Sequence, residues 1–252
     1  MSRRSCGTVK LFADFHTHTV YSDGRGTPAE NIAAASSRGL RAVAITDHGP
    51  KGIGIGVKEP GTFLKIKEEV AALAVSFPET DVLVGAEAAV VGRDGRLDLP
   101  DEIIGRLDLL IAGLHPYYIP ENMDDALRFT LPNLAVRLSR SLREKMRNTN
   151  TKAIVETVNN YRVDFISHPD LMMPVDLDEL ARACAGRQTA LELNTGHHYN
   201  KENIVRAAAR LGTRLVINSD AHFPETVGDI ASGEALVERL RFPAEMVVNA
   251  HP

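Results

Sequence analysis

The 252-residue chain contains no tryptophan, and aromatic residues make up only 5% of it. Proteins that hold single-stranded nucleic acid rely on aromatic platforms for base stacking, so this scarcity argues against that class. Only two cysteines are present, Cys6 and Cys184, and they form no CxxC pair. A disulfide framework and a thiolate zinc site are both excluded as organising devices. Cys184, in the apolar pattern ELARACA, reads as a small core residue. No apolar run approaches the length of a membrane span, and the start MSRRSCGTVKLFADF has no stretch long enough for a signal peptide. A cytoplasmic location is therefore expected, with no membrane partner. Net charge is only -4, with a sequence pI near 6.1. No basic excess points to nucleic acid as a partner.

Hydrophobic residues make up 44% of the chain and charged residues 25%, a balance that supports a sizeable core. Apolar runs alternate with helical patterns almost throughout. Expected strands are Leu11–Phe15, Ala42–Thr46, Val82–Ala86, Leu109–Ala112, Phe165–Ser167, Ala190–Leu193 and Leu215–Asn218. Expected helices are 27–38, with Thr27 as N-cap, Pro28 in the first turn and Gly39 as the stop; 63–77; 176–185; 202–211; and 233–240. Short apolar strands alternating with helices imply a parallel sheet. The chain shows no internal repeat or linker and reads as one domain over residues 1–252.

Six of the nine histidines fall where these strands run out. They are His16 and His18, His48, His115, His168 and His222. Asp23, Glu87 and Asp220 occupy the same kind of position. An open sheet would gather its site at one or two switch points. Here polar ends follow six of the seven strands, and only a ring of strands lets all six meet. A (β/α) barrel does this at its carboxyl-terminal face. Histidine and carboxylate groups converging on one mouth are ligands for zinc, manganese or iron. Nine such groups suit two or three divalent ions. His16 and His18, two apart on a strand, face one side, and Asp220 and His222 repeat that spacing.

The segments HTHTVYSDG, TDHG, GAE, AGLHP, ISHP and NSDAH resemble, in that order, the polymerase and histidinol phosphatase (PHP) superfamily. TDHGP, LIAGLHP, ISHPD and ALELN most resemble its small YcdX-like phosphoesterases, and are also similar to the PHP domain of bacterial family X DNA polymerases. The resemblance implies an α/β fold, a distorted seven-stranded (β/α)7 barrel holding up to three metal ions. It places His16, His18, Glu87 and Asp220 on the first ion. Glu87 would bridge to a second ion held by His115 and His168, and Asp23, His48 and His222 would hold the third. Aspartate at position 23, where some relatives have histidine, favours manganese or iron over zinc in that third site. Glu87, Asp220 and His222 are the expected catalytic residues. The implied activity is hydrolysis of a small phosphomonoester by metal-activated water. The alternatives are a histidinol-phosphatase-like, nucleotide or phosphodiester hydrolase, or a polymerase-associated accessory domain.

Other segments around the mouth carry weaker signals. GPKGIGIGVKEPG after His48 reads equally as a mobile lid or a phosphate-binding loop. A basic helical insertion is expected at about 116–150, with apolar residues at helical spacing over 130–147 and a solvated arginine face. Arg93 and Arg96 flank an Asp94-Gly95 hairpin turn. His197 and His198 read as an ordinary polar loop, and Asn194 as a hydrogen-bond donor to the site. The composition leaves an oligomer possible.

Overall fold

The computed structural model of the chain describes residues 9–251. Cys6 lies outside that range. Seven strands pair in parallel in chain order: β1 (Ala13–Asp14), β2 (Ala42–Ile45), β3 (Asp81–Ala89), β4 (Leu109–Gly113), β5 (Phe165–Ile166), β6 (Ala190–Asn194) and β7 (Leu215–Asn218). The helices are α1 (Pro28–Ser37), α2 (Thr62–Ala74), α3 (Asp101–Ile104), α4 (Met123–Asp125), α5 (Leu131–Leu134), α6 (Arg140–Asn160), α7 (Leu177–Arg187), α8 (Glu202–Leu211) and α9 (Ala231–Arg239). The result is a nearly closed (β/α)7 barrel.

Local signals set the helix ends. Thr27 and Glu30 form a reciprocal capping box at the start of α1. The Asp176 carboxylate accepts from the backbone N–H groups of Asp178 and Glu179 at the start of α7. Gly212 ends α8 in the left-handed conformation, at φ 72°.

The strands are buried on both faces, as a parallel sheet under helices requires. Alternate residues divide between two clusters. Val43, Ile45, Leu110, Leu191 and Ile217 join the large cluster under the helices. Ala44, Leu109, Ile111, Phe165, Ala190 and Val216 fill the barrel interior. Continuing the interior register upward gives His48, Glu87, His115, Asn194 and Asp220. Period-two alternation thus carries one face of each strand from an apolar floor to a polar mouth.

The seam between β7 and β1 is irregular. One parallel bridge, Thr17 with Ala221, joins them at the carboxyl end. Below it, side chains do the stitching. Asn249 Nδ2 donates to the carbonyls of Ala13 and Ile217, and its Oδ1 accepts from Ile217 N. The buried Asp14 carboxylate accepts from the backbone of Ser219 and Gly228. Strand β1 has two residues rather than the expected 11–15, because the chain before it bonds to the carboxyl-terminal segment, Phe12 N donating to Asn249 O and Leu11 bridging antiparallel to Ala250.

The segment between β4 and β5 departs from expectation. In place of one helix over 130–147, a π turn (Ala126–Thr130) and the short α5 lead to a break. Ser139 then caps the N-terminus of α6, accepting from Leu142 N. Phe129, Asn133 and Val136 face inward, whereas Leu131, Leu134 and Leu138 are exposed. The apolar spacing spans two elements with different axes, so it did not mark one buried face. Arg93 and Arg96 are not simply solvated. Arg93 pairs with Asp124, and Arg96 with Glu121 and Asp125, tying the turn after β3 to this segment. Cys184 is fully buried in the main cluster, as expected.

Candidate metal centre

The nine groups expected at the mouth are brought together there. His16 Nε2 and His18 Nε2 lie 3.1 Å apart, with Asp220 Oδ1 at 3.5 and 3.1 Å from them. Glu87 Oε2 is 3.3 Å from His16 and 3.6 Å from His18. Glu87 Oε1 faces the other way, 2.9 Å from His168 Nε2 and 3.3 Å from His115 Nε2, which are 3.3 Å from each other. On the outer side, Asp23 lies 3.7 Å from His48 Nε2 and 3.4 Å from His222 Nε2. The His48 ring stacks on His18 at 4.3 Å, and the His222 ring lies tilted against it at 4.4 Å.

His48 also turns Nδ1 to Glu87 Oε2 at 2.8 Å, so it touches both the inner and outer groups. Three sets meet the spacing of ligands around one ion: His16, His18 and Asp220; His48, Glu87 and His115; and His18, Asp23, His48 and His222. The last two sets cut across the expected partition, because His48 and His18 each sit between two groups.

Backbone geometry adapts to this convergence. His168 and Asp220 adopt left-handed conformations, at φ 26° and 54°, where non-glycine residues are uncommon. Strict alternation would send Ser167 inward, and the turn at His168 brings the imidazole to Glu87 instead. Gly113 is required by close approach. A Cβ there would lie 2.5 Å from the His115 ring and 3.0 Å from Glu87 Oε1. Glu87 itself lies within β3, which runs three residues beyond the expected 82–86.

The electrostatics are those of charges held away from water. Burial raises Glu87, but His115, His16 and His48 outweigh it and hold the carboxyl well below its ordinary value. Burial likewise opposes ionisation of Asp220, yet His16 and His18 keep it well below the usual carboxylate range. Burial lowers His16, while Glu192, Asp220 and Glu87 together hold it well above 6.5. Burial, with repulsion from His48, brings His18 down to about 3. The exposed side differs. Burial there is weaker than the pull of Asp23 and Asp220, which hold His222 up to about 9.

The donor set fits divalent cations. Both oxygens of Glu87 and Nδ1 of His18 are buried without a hydrogen bond, although imidazole nitrogens surround the carboxylate. Leaving such groups unsatisfied costs about 1–3 kcal/mol each, more when charged. A tetrahedral zinc with bonds of about 2.0–2.2 Å separates its ligand atoms by roughly 3.3–3.6 Å. Several contacts in the first two groups fall at that spacing.

Residues 14–196 match the PHP domain family. The chain belongs to the PHP family. It is 28% identical over 251 residues to a "Probable phosphatase" of Caldanaerobacter subterraneus, covering 96% of this chain and 88% of that protein. A "Probable phosphatase" of Aeromonas hydrophila is 30% identical over 254 residues, covering 97% and 92%. Among solved structures, the histidinol phosphate phosphatase of Lactococcus lactis, complexed with zinc, L-histidinol and phosphate, superposes with a TM-score of 0.64. The two are 17% identical over 92% of this chain and 95% of that one. That likeness is one of fold, and it matches the PHP-type barrel that the sequence resemblance implied.

Around the PHP cluster lie supporting residues, of which Glu192 and Asp47 were passed over in the sequence reading. Glu192, buried on β6, accepts from His16 Nδ1 and His168 N at 2.7 Å each, and from Asn218 and Asn194 at 3.0 and 3.1 Å. Holding the proton on Nδ1 leaves the Nε2 lone pair of His16 free to face the cluster. Asn194 also donates to Asp220 Oδ2 at 2.9 Å, as expected of a donor to the site. Asp47 accepts from Thr19 N and Thr19 Oγ1, fixing the turn that carries His18. His197 does not sit in an idle loop, because its Nε2 lies 3.1 Å from Asp220 Oδ2. His251 packs on Phe12, away from the cluster. Lys51 of the glycine-rich loop pairs with Glu121.

Proposed function

We propose that the protein is a metal-dependent phosphoesterase that hydrolyses a small phosphomonoester at a multinuclear site. The observation that carries this reading is the buried Glu87 carboxylate, which has an imidazole set on each of its two oxygens and no hydrogen bond of its own. A carboxylate so placed suits a bridge between two cations. In this reading His16, His18, Glu87 and Asp220 hold one ion, Glu87, His115 and His168 a second, and Asp23, His48 and His222 a third. Histidine and carboxylate ligands suit zinc, manganese or iron. Such ions, when bound, make water a nucleophile near neutral pH and neutralise charge on phosphate.

The chain's own groups do the rest. Glu192 and Asn194 hold His16 and Asp220 in orientation. Asp23 and His222, the most exposed of the nine, face incoming substrate. Glu87, Asp220 and His222 are the residues to which this reading gives catalytic roles. The names of the phosphatase relatives support the reaction class. The histidinol and phosphate in the Lactococcus enzyme support a small phosphorylated substrate. We place the activity in one PHP domain with an insertion at about 116–150. No helix among the described residues is long and apolar enough to cross a membrane, and a cytoplasmic setting accords with that.

The test is hydrolysis of a chromogenic phosphomonoester. Activity should fall on chelation and return with manganese or zinc. Cleavage of DNA alone would favour the accessory-domain reading instead.

A further inference from the structure

We infer that the leaving group is apolar: the site takes phosphomonoesters of aliphatic or aromatic alcohols, held by a hydrophobic rim around the polar cluster. This rests on the phosphoesterase reading above. Thirteen large apolar side chains are exposed among the described residues. Six of them, Val20, Ile53, Tyr117, Ile119, Met172 and Phe223, sit on loops that leave the carboxyl ends of the strands. Val20 is two residues past His18, Tyr117 two past His115, Met172 four past His168, and Phe223 directly follows His222. Single exposed apolar residues are unremarkable, but here five of the seven loops at one mouth carry at least one, around a cluster of buried polar groups.

The backbone groups part of this rim. Ile53 N donates to Tyr117 O at 3.0 Å, and Ile119 N to Lys51 O at 2.8 Å, so the loops after β2 and β4 form a short antiparallel ribbon. Tyr118 is buried beneath it, 1% exposed. Alternation therefore puts Tyr117 and Ile119 on the outer face. Lys51, the cation of that ribbon, is neutralised by Glu121. Val20 lies three residues before Asp23, and Phe223 directly follows His222; the side chains of Asp23 and His222 are 23% and 29% exposed while those of His16 and Glu87 are 0% and 1%. The phosphoryl group must approach from that open side. The rest of the substrate then lies against the rim, which has apolar surface to bury. Ligand sites of this build pair an apolar lining with a few polar anchors.

The experiment is a series of n-alkyl phosphates, from ethyl to hexyl, with the manganese-loaded enzyme and phosphate release as the readout. The leaving alcohols have nearly equal pKa, so chain length changes only apolar contact. We expect kcat/KM to rise about fourfold for each methylene fully buried and about twofold for each half-buried, and then to level off. Propyl phosphate should exceed glycerol 3-phosphate, which adds two hydroxyls to the same skeleton. In the double variant Tyr117→Ser and Phe223→Ser, both at exposed positions, the ratio of hexyl to ethyl phosphate should collapse toward one. A flat series in the native enzyme, or a slope that survives in the double variant, overturns the rim while leaving the phosphoesterase reading intact. Failure to hydrolyse alkyl phosphates by an enzyme that does hydrolyse a chromogenic phosphomonoester overturns the rim alone, and failure on both at any metal loading overturns both readings.

Discussion

Replacing Glu192 with glutamine isolates the support of the metal centre from the centre itself. Glu192 touches no outer group of the mouth, yet its two oxygens receive four donors: the His16 ring and Asn218 on one, His168 N and Asn194 on the other. Glu192→Gln keeps the shape and converts one oxygen to NH2. Whichever orientation the amide takes, two donors then face a donor. Hydrogen bonds to a charged group contribute about 1.5–3 kcal/mol each. Removing a buried charge offsets part of that loss. The remainder falls on His16, whose Nδ1 proton is no longer held and whose Nε2 is no longer fixed toward Glu87 and Asp220. Loss of such supporting partners typically lowers metal affinity about 10–100-fold, or roughly 1.4–2.7 kcal/mol. The assay is competition with a chromogenic chelator, read beside thermal unfolding of metal-loaded and metal-free protein. The holo form should lose more stability than the apo form. Metal affinity within twofold of the native protein would refute the argument that Glu192 orients His16.

Other perturbations separate the remaining parts. Glu87→Gln should weaken two ion sites together and cut turnover about 100-fold or more, the equivalent of the several kcal/mol that such ions contribute. His222→Ala, by contrast, should weaken only the exposed site, and metal titration of both variants checks the difference. Asn249→Ala leaves two carbonyls and one N–H unpaired at the β1–β7 seam and should cost about 2–4 kcal/mol in denaturant unfolding. A loss below about 0.5 kcal/mol would mean that the seam does not depend on it. Asp98, whose carboxylate accepts from Ala89 N and Lys51 N, is raised to about 6, chiefly by burial. Its folded pKa lies above its unfolded one, so its contribution is complete below about pH 4 and is lost as pH rises to about 6. Urea unfolding of native protein against Asp98→Asn should show a relative loss of about 2–3 kcal/mol between pH 4 and 7.

The sequence was most legible where burial is symmetric. Strands β2 and β4 to β7 begin at the expected residues, because parallel strands covered on both faces must be apolar runs, and turn signals bound them. Strand β1 was overread, since Leu11 and Phe12 continue its pattern while Phe12 N donates to Asn249 O and Leu11 N to the Glu234 carboxylate, far away in the chain. The helix over 130–147 failed for a related reason. Period alone does not reveal a break at Ser139 that keeps the apolar spacing in phase. At the mouth, the nine expected groups could be found because each follows one of the expected apolar runs, even where, as at Glu87, the strand itself runs further. Glu192 was missed because it lies inside one. A charge at the centre of ALELN was the available signal, since a buried carboxylate must meet donors from elsewhere in the fold. His197 gave no such signal, as its contact with Asp220 arises only from the return of the loop after β6.

The central claim is a cluster of ions built around Glu87. Elemental analysis of metal-saturated protein, together with anomalous X-ray scattering from its crystals, tests it most directly. More than one transition-metal equivalent per chain is predicted, with anomalous peaks on either side of the Glu87 carboxylate, between His16 and His222. A single equivalent at saturation, peaks elsewhere, or full phosphatase activity in a metal-free preparation would contradict it.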